Sequence, residues 1–430
     1  MMPKKSDRPR KPLTKMAGEP RSFIGRIESA ERHSECRGSR WTFIIDAVDT
    51  RADPAGAKRG LGRARGDLAI LRVMTTADRL AGMAEIVDAD SLAGRWVEIR
   101  LVPRGMARGP RVQVCPLGDA GYEDLVVYTL SEIIDFGFTP TDGSPRSRRD
   151  GSTRALVAAF YAEGLSCTHS QPPRPPAHEA SRLRLVMSTQ IERVIIHDVG
   201  HANFTTLLDV TGKPVLHFDV GWPIGFNWKT YPPNPPIIPF AEIVVLTHWD
   251  WDHLHGFHKW KQVRDASWFV PEQSLGPNAL LVYQELAKAG RLTVFPHQPG
   301  VTHISGPITV IGADPSGVTA KSQHRNNSGI SMVIDLMVGG RVMLPGDADY
   351  VATGATPHPD LLVVSHHGAK VLGKIPKAPA KNPRAVVSMG EGNCYQHPSD
   401  VSKARHTAAG WALEYTSATP SAPRGDKFLP

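Results

Sequence analysis

Cysteine is scarce. Cys36, Cys115, Cys167 and Cys394 are the only four in 430 residues, and no two form a CxxC pair. That spacing excludes a disulfide scaffold and a zinc ribbon, and it fits a reducing compartment. Long apolar runs are also missing. Nothing approaches the roughly 20 residues that cross a bilayer, and no apolar stretch follows the basic start, so neither a span nor a secretory signal is expected. The expectation is a cytoplasmic protein without membrane contact. Charge of one sign is in mild excess only: 50 Lys+Arg against 42 Asp+Glu gives +8. That balance points to a polyanionic partner, chiefly through two basic segments, "MMPKKSDRPRKPLTK" and "SPRSRRD". With 41% hydrophobic residues, the length suffices for two buried cores.

Four regions are expected. Residues 1–20 read as a basic disordered tail. Residues 21–118 read as a mostly-β domain built on "SFIGRIES", "RWTFIIDAV", "DLAILRVM", "RWVEIRLV" and "RVQVCPL", runs rich in β-branched and aromatic residues. In the fourth run Val97, Ile99 and Leu101 alternate with Glu98 and Arg100. A helix over Ala77–Val87 between the third and fourth strands gives the order of an OB-fold barrel. The loop after the second strand carries Lys58, Arg59, Arg63 and Arg65, where such a barrel meets nucleic acid; the alternative is a small barrel with a solvated basic loop. Residues 119–183 read as a bridge, with "YEDLVVYTLSEIIDFGF" placed to close the first domain and "SCTHSQPPRPPAHEAS" as a proline-rich linker. Residues 184–425 then alternate strands and helices.

In that last region short apolar runs end in polar ligand types: "RVIIHDVG", "PVLHFDVG", "AEIVVLTH", "GRVMLPGD" and "DLLVVSHHG". Wholly apolar strands are buried on both faces, and ligands at several strand ends imply one site along a sheet edge. The densest group is "VVLTHWDWDHLHG". Its turn can point His248 and Asp250 to one metal ion and Asp252 and His253 to a second. Asp347 in "MLPGDAD" and His366 and His367 in "VVSHHG" are further candidates. Mixed imidazole and carboxylate ligands suit a hydrolytic two-metal site. Trp249 and Trp251 either stack on a base or pack the turn into the core.

"HWDWDH" resembles the metallo-β-lactamase signature HxHxDH, with Asp250 in place of the second histidine. The chain from residue 191 to about 425 is similar to the hydrolase-domain branch of ComEC-type competence proteins, whose turn reads HxDxDH. "HDVGHANFTTLLD", "VLHFDVG", "NNSGISMVIDLMVGGRVMLPGDAD", "LLVVSHHGAK" and "NCYQHPSD" match that branch's further motifs in order. The resemblance implies an α/β fold, an αββα metallo-β-lactamase sandwich following the OB-like domain, with two divalent ions, Zn²⁺ or Mn²⁺. Asp250 hardens the first site and shifts the balance towards Mn²⁺. It implies that Asp347 bridges, that His366, nearer the strand end than His367, completes the site, and that Asp219 braces the metal loop. Two departures stand out. Asn203 occupies the position of the branch's aspartate, and no motif supplies a further histidine ligand, for which His297, His303 and His324 are the choices. His324 precedes Asn327 in the "NNSG" hairpin nearest the site.

The implied activity is metal-dependent phosphodiester hydrolysis, most simply by a nuclease on DNA or RNA, with DNA favoured. Asp252 is a ligand at the reacting centre. Asn393 and His397 are placed to grip phosphate or protonate the leaving oxygen, unless His397 merely starts a helix before Pro398. Lys370 either contacts phosphate or is solvated. The rival readings are a hydrolase of a small phosphodiester or ester, and a nucleic-acid-binding protein with an inactive hydrolase fold.

Overall fold

The computed structural model describes residues 14–16, 18–33, 40–51, 67–76, 79, 92–119, 121–135, 188–295, 299–300, 302–318, 324–354 and 358–430. The expected helix over Ala77–Val87 apart from Arg79, the basic loop with Lys58, Arg59, Arg63 and Arg65, the proline-rich linker and His297 lie outside the described residues. No helix among the described residues is long and apolar enough to cross a membrane.

The N-terminal strands are β1 (Thr14–Met16), β2 (Arg21–His33), β3 (Arg40–Asp49), β4 (Leu68–Thr76), β5 (Trp96–Pro103), β6 (Arg111–Pro116) and β7 (Leu125–Asp135). The five expected strands correspond to β2 to β6. They pair in the order β5-β2-β3-β4-β6, and β7 pairs with both β5 and β6, so six strands close into a barrel. This is compatible with an OB-like domain and has one strand more than the five expected. "LVVYTLSEIID" is that sixth strand; its pairing with both edges removes the exposed edges that five strands would leave.

Alternation along these strands buries both faces. Phe23, Ile27, Phe43, Ile45, Leu71 and Val97 fill the barrel. Their outward neighbours Ile24, Ile44, Val48, Leu68 and Ile70 join a second cluster with Trp249, Trp251 and Leu280 of the C-terminal region. The barrel therefore packs directly on the rest of the chain. Asp46 of β3 accepts hydrogen bonds from the backbone N–H groups of Asn278 (2.8 Å) and Ala279 (3.1 Å). Those groups open the helix Pro277–Lys288, whose first N–H groups have no partner within the helix.

The C-terminal region holds two seven-stranded sheets. The first contains β8 (Ile191–Ile196), β9 (Phe204–Asp209), β10 (Pro214–Val220), β11 (Ile243–Val245), β12 (Ser267–Pro271) and β13 (Leu292–Phe295). The second runs through β14 (Thr302–Ser305), β15 (Ile308–Gly312), β16 (Ile330–Asp335), β17 (Arg341–Leu344), β18 (Leu361–Val363), β19 (Arg384–Val387) and β20 (Ala412–Tyr415), and β21 (Lys427–Leu429) returns to edge the first beside β8. Leu216, Phe218, Ile243 and Val245 of the first sheet share one apolar core with Met332, Leu344, Leu361 and Val363 of the second. Neighbours β10 and β11 are parallel, as are β17 and β18. Their carboxyl ends lead into "DVGW", "THWDWDH", "PGDAD" and "SHHG", which is how two sheets bring four polar segments to one place. The α-helices among the described residues are α1 (Trp251–Leu254), α2 (Gly256–Lys259), α3 (Lys261–Arg264), α4 (Pro277–Lys288) and α5 (Asp400–Ala408).

Candidate metal centre

The turn after β11 is held from below by one carboxylate. Asp219, at the end of β10 and in the left-handed region at φ 58°, accepts the Thr247 N–H at 2.8 Å, the Thr247 hydroxyl at 3.0 Å and the His253 Nδ1–H at 2.7 Å. Close approach is required beside it. A side chain at Gly221 would meet the Asp252 carbonyl oxygen, 1.7 Å from an added Cβ, and Gly346 takes φ 60° against Thr247.

These bonds fix the imidazole tautomers. The Thr247 hydroxyl donates to Asp219, so its oxygen accepts from His248 Nδ1, 2.9 Å away. His253 Nδ1–H is taken by Asp219, and His367 Nδ1–H donates to the Ser388 carbonyl at 2.7 Å. Each ring then turns Nε2 towards carboxylates. His248 Nε2 lies 3.3 Å from Asp250 and 3.9 Å from Asp347; His253 Nε2 lies 3.1 Å from Asp347; His367 Nε2 lies 3.2 Å from Asp252. A bare lone pair facing a carboxylate is repulsive unless a cation or proton stands between them. His248 Nε2 is buried with no hydrogen-bond partner among the described residues. The residues thus fit bound divalent metal, with the Nδ1 positions braced as metal-ligating histidines usually are.

The metal-free electrostatics agree. Burial alone would depress the His253 ring, but Asp347 and Asp219 hold it well above the ordinary histidine value. Burial works against Asp347 in the same way, yet His253, His366 and His367 keep it well below the usual carboxylate range. Asp250 is also lowered, burial being outweighed by His248 and Arg325. A metal ion bound here would displace any proton held between these rings and carboxylates.

Asp252, His253, Asp347 and His367 each offer a ligand atom within 4.8 Å of the others. The second imidazole in this group, beside His253, is His367, whereas His366 was expected from its place nearer the strand end. Both residues have left-handed backbone, φ 50° and 51°, and the turn aims the second ring at Asp252. His366 stands alongside, its Nε2 3.5 Å from Asp347, and belongs to another group with Glu31 and His397. Asn203 donates to Asp347 at 3.2 Å. Asn393 spans its own loop, donating to the carbonyls of Gly390 (2.9 Å) and His397 (2.6 Å) and accepting from the N–H of Tyr395 and of His397. His397 precedes α5 and its Ser399 cap. Asn327 grips Asp349, which accepts at 3.0 Å and donates its N–H at 2.7 Å. Lys370 and His324 are exposed, and His324 Nε2 lies 3.3 Å from the Val318 carbonyl.

The tryptophans pack the turn. Trp249 and Trp251 are 1% and 3% exposed; Trp249 donates to the Pro271 carbonyl, and Trp251 meets Tyr122 edge-on with centroids 4.7 Å apart. His255 accepts the Tyr122 N–H at 2.8 Å and joins the turn to the barrel's last connection.

Four residues at the site were not anticipated from sequence. His201 is 1% exposed, its ring lies 4.5 Å from that of His367 at a 41° tilt, and neither ring nitrogen has a hydrogen-bond partner among the described residues. Glu28 of β2 bonds Arg325, and Arg325 Nη1 lies 3.1 Å from Asp250 Oδ1. Glu31, from the same strand, faces His366 and His397.

No protein-family model matches the chain, and no curated protein matches it. Among solved structures it is similar to the metallo-β-lactamase fold protein YhfI from Bacillus subtilis, at 10% identity and TM-score 0.32 over 55% of this chain and 99% of that one. It is similar to Zn²⁺-bound PqqB from Methylobacterium extorquens at 13% identity and TM-score 0.33, covering 55% of this chain and 99% of that one. It is also similar to CmlA, a diiron β-hydroxylase from Streptomyces venezuelae, at 15% identity and TM-score 0.33 over 74% of this chain and 69% of that one. At that identity and TM-score these likenesses define no role for this chain.

Proposed function

We propose that residues 188–430 form a metal-dependent hydrolase domain of metallo-β-lactamase type, an αββα sandwich, acting on phosphodiesters and most simply a nuclease. The observation that supports it is the set of three imidazoles, His248, His253 and His367, whose Nδ1 positions are all bonded by protein and whose Nε2 atoms face Asp250, Asp252 and Asp347. His248 and Asp250 would hold one divalent ion, Asp252, His253 and His367 a second, and Asp347 lies near both groups. Zn²⁺ and Mn²⁺ both suit imidazole with carboxylate. Bound there, such ions acidify water and neutralise charge on a reacting phosphoryl oxygen.

The chain's own residues set the stage for that chemistry. Asp219 and Thr247 hold the rings in one tautomer, Asn203 keeps Asp347 turned inward, and the barrel limits solvent by packing over the metal-bearing turn. The likeness to the ComEC-type branch and the net charge of +8 support nucleic acid as substrate. Glu31 favours a second reading, a small phosphodiester or ester, because a carboxylate beside the centre repels a polyanion. The test is the full chain, stripped by chelator and reloaded with Zn²⁺ or Mn²⁺, assayed on labelled single- and double-stranded DNA and RNA and on an activated aryl phosphodiester. Cleavage of a nucleic acid supports the first reading. Cleavage of the aryl ester alone supports the second, and no metal-dependent hydrolysis of either overturns both.

A further inference from the structure

We infer that Glu31, His366 and His397 form a separate cation site shared between the barrel and the C-terminal region, suited to a divalent transition metal. One ligand atom from each of the three lies within 4.8 Å of the others. They come from three backbones far apart in sequence: β2 of the barrel, the turn after β18, and the loop before α5.

Each backbone is anchored by hydrogen bonds of its own. Glu31 sits in the β2–β3 ladder opposite Thr42. The His366 N–H donates to the Gly346 carbonyl at 3.1 Å, inside a left-handed turn. The His397 backbone is clamped at both its carbonyl and its N–H by the Asn393 amide, at 2.6 and 3.0 Å. Arg72 of β4 donates to the Cys394 carbonyl at 3.1 Å, tying that same loop to the barrel. Ligands held this way need little ordering when an ion arrives, the usual requirement of a built site.

A second observation points to a bound group at this place. The His201 ring lies between the two groups, 4.5 Å from that of His367 and 5.8 Å from that of His397, is 1% exposed, and has no hydrogen-bond partner among the described residues on either nitrogen. Leaving a buried polar group without a partner is costly, and an ion ligated nearby with its water would relieve that cost. Two imidazoles and one carboxylate, with positions left open, suit Zn²⁺ and its transition-metal neighbours better than Ca²⁺ or Mg²⁺, which take all-oxygen shells. With the ion in place, the negative charge of Glu31 beside the centre becomes a positive position able to receive a phosphoryl oxygen.

The inference stands whether or not the Asp252 centre acts as proposed. Full-length wild type, Glu31→Gln and His397→Gln are stripped by chelator and reloaded with Zn²⁺, and ions per chain are counted by mass spectrometry. Reloading with Co²⁺ gives a visible spectrum for each. Both variants should bind one ion fewer per chain and lose the same spectral component, while Asp252→Asn retains that component. An unchanged ion count in either folded variant overturns the assignment. A component that survives when the Asp252 group binds nothing would sink the hydrolase reading alone.

Discussion

Replacing Glu28 by glutamine probes how far the barrel supports the metal centre. Glu28 Oε2 takes hydrogen bonds from both Arg26 and Arg325, and Arg325 continues to Asp250 (3.1 Å) and the Ser274 carbonyl (2.9 Å). Glu28 and Arg325 are 5% and 8% exposed. Burial holds the Glu28 carboxyl above the ordinary glutamate value, with the two guanidiniums working against it. Two cations on one oxygen need its charge, so we take it as ionised. Glutamine keeps the shape and one acceptor but leaves two buried guanidiniums sharing Asp250. Removing one partner of a buried pair costs about 3–5 kcal/mol, and the retained acceptor places this change near the lower end, at about 3 kcal/mol. Arg325 would then lean on Asp250 and compete with metal, and loss of such outer support weakens metal affinity about 10-fold or more. Urea unfolding of the chelator-treated protein reads the first effect and a Zn²⁺ titration the second. A variant within about 0.5 kcal/mol of wild type, with unchanged affinity, refutes the reasoning and would mean that Glu28 is neutral in the fold.

Acid should act through His217 and His255, which burial pushes down to about 3 from an ordinary 6.5. A depressed folded value gives stability present above pH 6.5 and lost as pH falls towards 3, about 2 kcal/mol for each ring at pH 5. Asp46 and Glu31, raised by burial to about 7, act in the opposite direction, so the comparison is between chains. His255→Gln should lose about 2 kcal/mol less than wild type between pH 7 and pH 5 in urea melts, and parallel pH profiles would speak against a neutral buried ring. Asp46→Ala removes the acceptor for two N–H groups at the start of α4 and should cost about 2–3 kcal/mol; a loss under about 0.5 kcal/mol would mean that water replaces the cap. If the substrate is nucleic acid, cleavage should weaken steeply between 50 and 200 mM salt, about 10³-fold if as many as six phosphates are contacted. A flat salt profile favours the small substrate.

The barrel strands were legible because alternation such as Val97, Ile99 and Leu101 against Glu98 and Arg100 is a local signal. The polar turn after β11 stood out for a related reason: apolar residues do not end in "HWDWDH" by turn chemistry alone. The choice between His366 and His367 was not legible, since adjacent residues share every local signal and a left-handed backbone decides which ring faces Asp252. Glu28 and Glu31 were missed because an acid in an alternating strand reads as a solvent face. Their partners, Arg325, His366 and His397, are more than 290 residues away. His201 was missed likewise, its ring neighbours being His367, Tyr395 and His397. The packing of the barrel on the C-terminal region was not legible either: Ile24, Ile44 and Ile70 share one cluster with Trp249 and Leu280, contacts that no local pattern announces.

The central claim is that the Asp252, His253, Asp347 and His367 group holds metal that drives hydrolysis. It is tested most directly by counting ions and measuring hydrolysis together, in wild type and in Asp252→Asn, after chelator treatment and reloading with Zn²⁺ or Mn²⁺. The account predicts that reloading restores hydrolysis in wild type, and that Asp252→Asn loses bound metal and at least 100-fold of the rate, about 3 kcal/mol of transition-state stabilisation. Full metal content and unchanged hydrolysis in Asp252→Asn would contradict it.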